Sequence, residues 1–71
     1  MSESIYRVTQ VIGTSTESWE DAARHAVETA AKSLRDLRIG EVDRFDMTIQ
    51  DGRVTQYRAR VNISFKYEDQ A

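Results

Sequence analysis

The 71-residue chain contains no cysteine and no proline, three glycines, one histidine and one tryptophan. Without cysteine there are no disulfides, thiol nucleophiles or thiolate metal sites. A single histidine excludes a two-histidine metal motif within one chain. No apolar run approaches the roughly 18 residues of a membrane-spanning helix. The opening MSESIYRVTQ has neither a basic region nor an apolar one, so no secretory leader and a cytoplasmic location are expected. Ten Lys and Arg against twelve Asp and Glu give a net charge of -2, which is not a nucleic-acid footprint. The isolated Gly13, Gly40 and Gly52 form no phosphate-binding loop. No Ser-His-acid set or paired-carboxylate constellation stands out, so no catalysis is expected.

What remains is a hydrophobic content of 39% in a short chain, enough for one small domain over residues 1–71. Domains of this size bury about 60% of their unfolded surface and commonly need a staple. With disulfides and a closed metal motif absent, self-association is the expected one.

Ser4 to Ile12 reads as a strand, rich in β-branched and aromatic residues, with a bulge or strand end near Gln10. Gly13 to Thr16 reads as a loop. Ser18 to Arg38 reads as a helix. Ser18 and Asp21 have capping-box spacing, and Trp19, Ala23, Val27, Ala30, Leu34 and Leu37 make one stripe. The acids Glu17, Glu20 and Asp21 at one end and Lys32, Arg35 and Arg38 at the other suit a helix dipole. Gly40 is the expected C-terminal cap. The alanines on and beside the stripe predict close packing. Trp19 is expected as an anchor at the helix start, and His25, opposite the stripe, as a surface residue.

Glu41 to Gln50 reads as a second strand, bulged near Asp43-Arg44, and Asp51-Gly52 as a hairpin turn. Arg53 to Tyr67 alternates strictly: Tyr57, Ala59, Val61, Ile63, Phe65 and Tyr67 against Gln56, Arg58, Arg60, Asn62, Ser64 and Lys66. This is a half-buried antiparallel strand. The expected fold is α+β: a β-α-β-β protomer, its three-stranded antiparallel sheet wrapped around one helix, with a polar outer face. Met1–Glu3 and Glu68–Ala71 are expected to fray. Arg58, Arg60 and Lys66 on that outer face are read either as a solvated row or as an anion pocket between copies. The acids Glu41, Asp43, Asp46 and Asp51 do not have EF-hand spacing. They read as a solvated strand surface or as weak candidates for an intersubunit divalent site.

Tyr6-Arg7-Val8, Ile12-Gly13-Thr14-Ser15, Ser18-Trp19-Glu20-Asp21-Ala22, Leu37–Val42, Asp51-Gly52-Arg53-Val54 and Val61-Asn62-Ile63-Ser64-Phe65-Lys66 together resemble the dodecins over nearly the whole chain. That resemblance implies a hollow homododecamer that stores flavin (riboflavin or FMN) between subunits without catalysis, with no nucleic-acid or membrane partner. In flavin-binding members a tryptophan follows the helix and a glutamine on the last strand holds the flavin edge. Their positions match Ile39 and Arg58 here. Ile39 has no π face, and Arg58 offers donors only, where the flavin edge needs a donor and an acceptor. The sequence therefore argues against tight flavin binding. It looks like a subgroup lacking the tryptophan, with which calcium binding is associated. A flavin-free shell holding calcium or another divalent cation is the alternative, and a purely structural assembly a further one.

Overall fold

The computed structural model describes residues 5–66. The element order is β1 (Tyr6–Ser15), α1 (Trp19–Ala30), β2 (Leu37–Gln50) and β3 (Arg53–Lys66). The strictly alternating β3 is the centre of the sheet, with β1 antiparallel on one side and β2 on the other. The α+β arrangement, with one helix against one antiparallel sheet, is as the alternation and the hairpin signal predict.

The inward face of β3 sets the core. Ala59, Val61 and Ile63 are buried against Ala22 and Ala26 of α1. Val11, Ala23, Val27, Ala30, Leu37 and Val42 close around them. Because the helix presents alanines, it lies very close to β1. A Cβ built on Gly13 would overlap the Ala22 carbonyl oxygen and sit 2.9 Å from the Ala26 Cβ.

Local signals explain both ends of the helix. The Ser18 hydroxyl accepts from the Asp21 N–H at 3.0 Å. The Asp21 carboxylate accepts from the buried Ser15 hydroxyl at 2.7 Å, so the reciprocal half of the box passes through Ser15. That hydroxyl in turn accepts from the Glu17 N–H. At the other end the helix stops at Ala30, well short of Arg38. Asp36, not Gly40, takes the left-handed conformation (φ 58°) and turns the chain into β2. Leu37 then pairs with Phe65, and the Lys66 N–H donates to the Asp36 carbonyl. The helical spacing of Leu34 and Leu37 is thus overridden by sheet pairing. Lys32, Arg35 and Arg38 lie beyond the last helical turn, which carries no basic residue.

Strand β1 runs through Gly13 to Ser15, where a loop was expected, because Gly13 pairs with Ala59 and Ser15 with Tyr57. Its register with β3 is unbroken, so there is no bulge at Gln10. Strand β2 is bulged between Val42 and Arg44 as expected, and again at Leu37/Ile39 and Thr48/Ile49. The hairpin turn has positive φ at both Asp51 (53°) and Gly52 (74°). The expected strand positions Ser4 and Tyr67, and the fraying expected of both ends, lie outside the described residues.

A 12-residue helix is about 18 Å long and a 14-residue strand about 45 Å. The β2–β3 hairpin therefore projects past the helix as an arm, and the molecule measures 56 × 20 × 14 Å. Phe45, Met47, Ile49 and Val54 are exposed on the arm. The outer sheet face is also less polar than expected. Residues directly opposite in register share a face. Tyr6, Val8 and Ile12 stand beside Lys66, Ser64 and Arg60, and Ile39 beside Ser64, all four of these apolar side chains being exposed. The polar alternation of β3 does not extend to its neighbours.

Candidate functional site

The outer sheet face carries most of the residues singled out above. Arg58 on β3 stands opposite Asp46 on β2 and grips it with two bonds, Nε to Oδ1 at 2.7 Å and Nη2 to Oδ2 at 3.0 Å. The β2 bulge brings Asp43 onto the same face. There it accepts from Arg60 Nε and Asn62 Nδ2, each at 2.8 Å. Asn62 accepts in turn from Gln10 on β1 at 2.9 Å. A polar ladder thus crosses all three strands.

These bonds hold the Asp46 and Asp43 carboxyls below the usual range. Arg58 is the main cause for Asp46, and Arg60 followed by Asn62 for Asp43. Asp46 raises Arg58 correspondingly. A carboxyl depressed on folding stabilises fully above its unfolded value of about 3.8, and that contribution is lost as pH falls through the folded value. Asp43→Asn with Asp46→Asn is therefore expected to flatten the acid limb of a plot of Tm against pH. An acid limb identical to wild type between about pH 2 and 5 would show that these pairs contribute nothing.

The four acids do not converge. Both oxygens of Asp43 and both of Asp46 are already taken. Glu41 is exposed opposite Asn62, and Asp51 sits in the turn, ten residues or about 33 Å farther along β2. Among the described residues no three His, Cys, Asp or Glu side chains assemble a metal site. Calcium takes six to eight oxygen ligands. One chain alone does not fit it.

Ile39 and Arg58 share the outer face but are not neighbours. Ile39 is 65% exposed beside Ser64, six residues or about 20 Å along β3 from Arg58. No single chain brings them together.

Trp19 is the expected anchor. Its ring meets Tyr57 edge-on at 5.0 Å and Phe45 at 5.8 Å, and its Nε1 donates to the Asp46 carbonyl at 3.0 Å. His25 is on the surface as expected but has partners: Thr14 O lies 3.2 Å from Nδ1, and Asp21 Oδ2 lies 3.6 Å from Nε2. Sequence reading missed Gln10, Asn62 and the pairing of Asp43 and Asp46. Counting back from Asp51-Gly52 would approach those pairs, but each bulge shifts the count.

The Dodecin family profile matches residues 5–68. The calcium dodecin of Mycobacterium tuberculosis is 41% identical over 63 residues, covering 89% of this chain and 89% of that protein. The structure of dodecin from Streptomyces coelicolor superposes with a TM-score of 0.90 at 37% identity, covering 99% of this chain and 100% of that one. A crystal structure from M. tuberculosis, described as a calcium-chelating calcium dodecin with a novel calcium-binding site, gives 0.80 at 38% identity, covering 94% and 96%. With the β-α-β-β order of this fold and these matches over almost the full length, the chain belongs to the dodecin family.

Proposed function

We propose that this protein is a non-catalytic binding shell. Its copies close into a homo-oligomer of twelve, and its cargo sits between copies, a divalent cation such as calcium being favoured over flavin. One observation carries the preference. The two positions matched to the family's flavin contacts hold an exposed aliphatic side chain and an arginine whose fork is already closed on Asp46. Neither supplies an aromatic ring for stacking or an edge acceptor.

The likeness to a calcium dodecin supports the cation. The ligands would come from more than one copy, with Glu41 and Asp51 as the acids of the four that make no ion pair among the described residues. The exposed apolar residues of the arm and of the outer face support assembly.

Two measurements test the reading. Sedimentation equilibrium should give about twelve times the chain mass, and a monomer would end it. On the intact oligomer, calcium at about 100 times its dissociation constant should add about 2.7 kcal/mol, seen as a rise in Tm over a chelated sample. An unchanged melt, with strong saturable quenching of riboflavin, would reverse the preference.

A further inference from the structure

A pair of side chains of metal-ligating type stands on the helix, away from the outer face. Asp21 and His25 are one helical turn apart on α1, the i, i+4 spacing at which two side chains reach the same point. The His25 ring is oriented by a third group. Its Nδ1 lies 3.2 Å from the Thr14 carbonyl oxygen of β1. A carbonyl only accepts, so Nδ1 carries the proton, and in the neutral ring Nε2 presents its lone pair.

That lone pair faces a carboxylate oxygen. Nε2 and Asp21 Oδ2 are 3.6 Å apart. This is long for a hydrogen bond; with the ring protonated the contact is an ion pair, and with the ring neutral it leaves room for a cation between the two atoms. Two ligands on one tetrahedral zinc, each about 2.1 Å from the metal, are about 3.4 Å apart. The gap fits a shared ion to within a few tenths of an ångström.

The surroundings match those of metal-binding histidines. Such rings generally donate their other N–H to a carbonyl or carboxylate, as Nδ1 does to Thr14. Asp21 Oδ2 is itself fixed by the Ser15 hydroxyl at 2.7 Å. The imidazole is 57% exposed and borders an open groove of about 710 Å³ between β1 and α1, with Thr14 and Thr29 on its walls. Water reaches the ring from there.

We propose that Asp21 and His25 chelate a borderline divalent transition metal, zinc in the first instance. No third His, Cys, Asp or Glu completes the set among the described residues, so the remaining positions belong to water or to a second copy. The mixed nitrogen and oxygen donors separate this site from an all-oxygen calcium site. The inference does not depend on the cargo of the shell.

The test is zinc chloride titrated calorimetrically into the assembled protein at about pH 7.5, above the ordinary histidine range. The wild type should bind one zinc per chain, and a large excess of calcium should leave that binding unchanged. His25→Ala and Asp21→Asn should each weaken it by at least about tenfold, the lower end of what loss of even an outer-sphere partner costs. His25→Ala removes an exposed side chain, and circular dichroism of both variants checks that the fold is retained. No zinc binding by the wild type overturns the proposal, leaving an imidazole–carboxylate contact only. Binding unaffected by His25→Ala places zinc elsewhere and also overturns it. Wild-type affinity in a folded Asp21→Asn variant reduces the site to a lone imidazole and overturns the chelate.

Discussion

Gly13→Ala should cost at least about 3 kcal/mol, at or beyond the upper end of ordinary overpacking. The added methyl would run into the Ala22 carbonyl oxygen and lie 3.0 Å from the Ala26 backbone nitrogen. These are backbone atoms inside a regular helix and cannot rotate aside, so α1 must lift away from β1. Lifting it opens a core whose fully buried side chains larger than alanine are, among the described residues, only Val61 and Ile63. For a domain of this size each kcal/mol moves Tm by about 4–8 °C, so a fall of more than about 12 °C is expected. Wild type and variant must be melted at one protein concentration, since the proposed assembly would be linked to folding. Gly40→Ala is the control. Its methyl would meet only the side-chain atoms Val27 Cγ2 at 3.3 Å and Val61 Cγ1 at 3.4 Å, which can yield. A Gly13→Ala variant melting within a few degrees of wild type would show that the helix is not held at this distance.

Ile39→Trp combined with Arg58→Gln should create or strengthen flavin binding. Stacking contributes about 1–3 kcal/mol per ring, so a flavin held between two tryptophans gains on the order of 30-fold to 10⁴-fold in affinity. The glutamine restores a paired donor and acceptor and releases Asp46, which is part-exposed and tolerates the loss. Because the two positions are about 20 Å apart in one chain, the gain depends on two copies meeting at this face. Riboflavin quenching on the sedimenting oligomer measures it. An intact oligomer with no gain in quenching would mean that the outer face is not where the family's ligand contacts map.

Much of the fold is legible in the chain. Asp51-Gly52 fixes the turn, the alternation from Gln56 to Lys66 fixes a half-buried strand, and the phase slip at Val42 marks the bulge. Those signals are local. The helix end was misplaced because Leu34 and Leu37 keep helical phase in the sequence, while Leu37 gains more by pairing with Phe65. Gly13 looked like loop punctuation, since its reason for being glycine is the Ala22 backbone nine residues on. Site residues were legible as types and not as pairs. Nothing in the spacing of Asp43, Asp46, Arg58 and Arg60 tells which acid meets which arginine until the bulges at Thr48/Ile49 and Val42/Arg44 have set the register. From β3 alone the outer face is polar, and Tyr6, Val8 and Ile12 come onto it only through pairing.

The packing of Trp19 has an optical consequence. It is the chain's one tryptophan, fixed at the root of the projecting arm between Phe45 and Tyr57, with its indole N–H tied to the Asp46 carbonyl. Its emission therefore reports on the seam where the hairpin docks against the helix, with no label added. If the arm swings away while the sheet stays paired, the indole spectrum shifts to the red before the circular dichroism changes. If the two signals move together, docking and folding are one cooperative event.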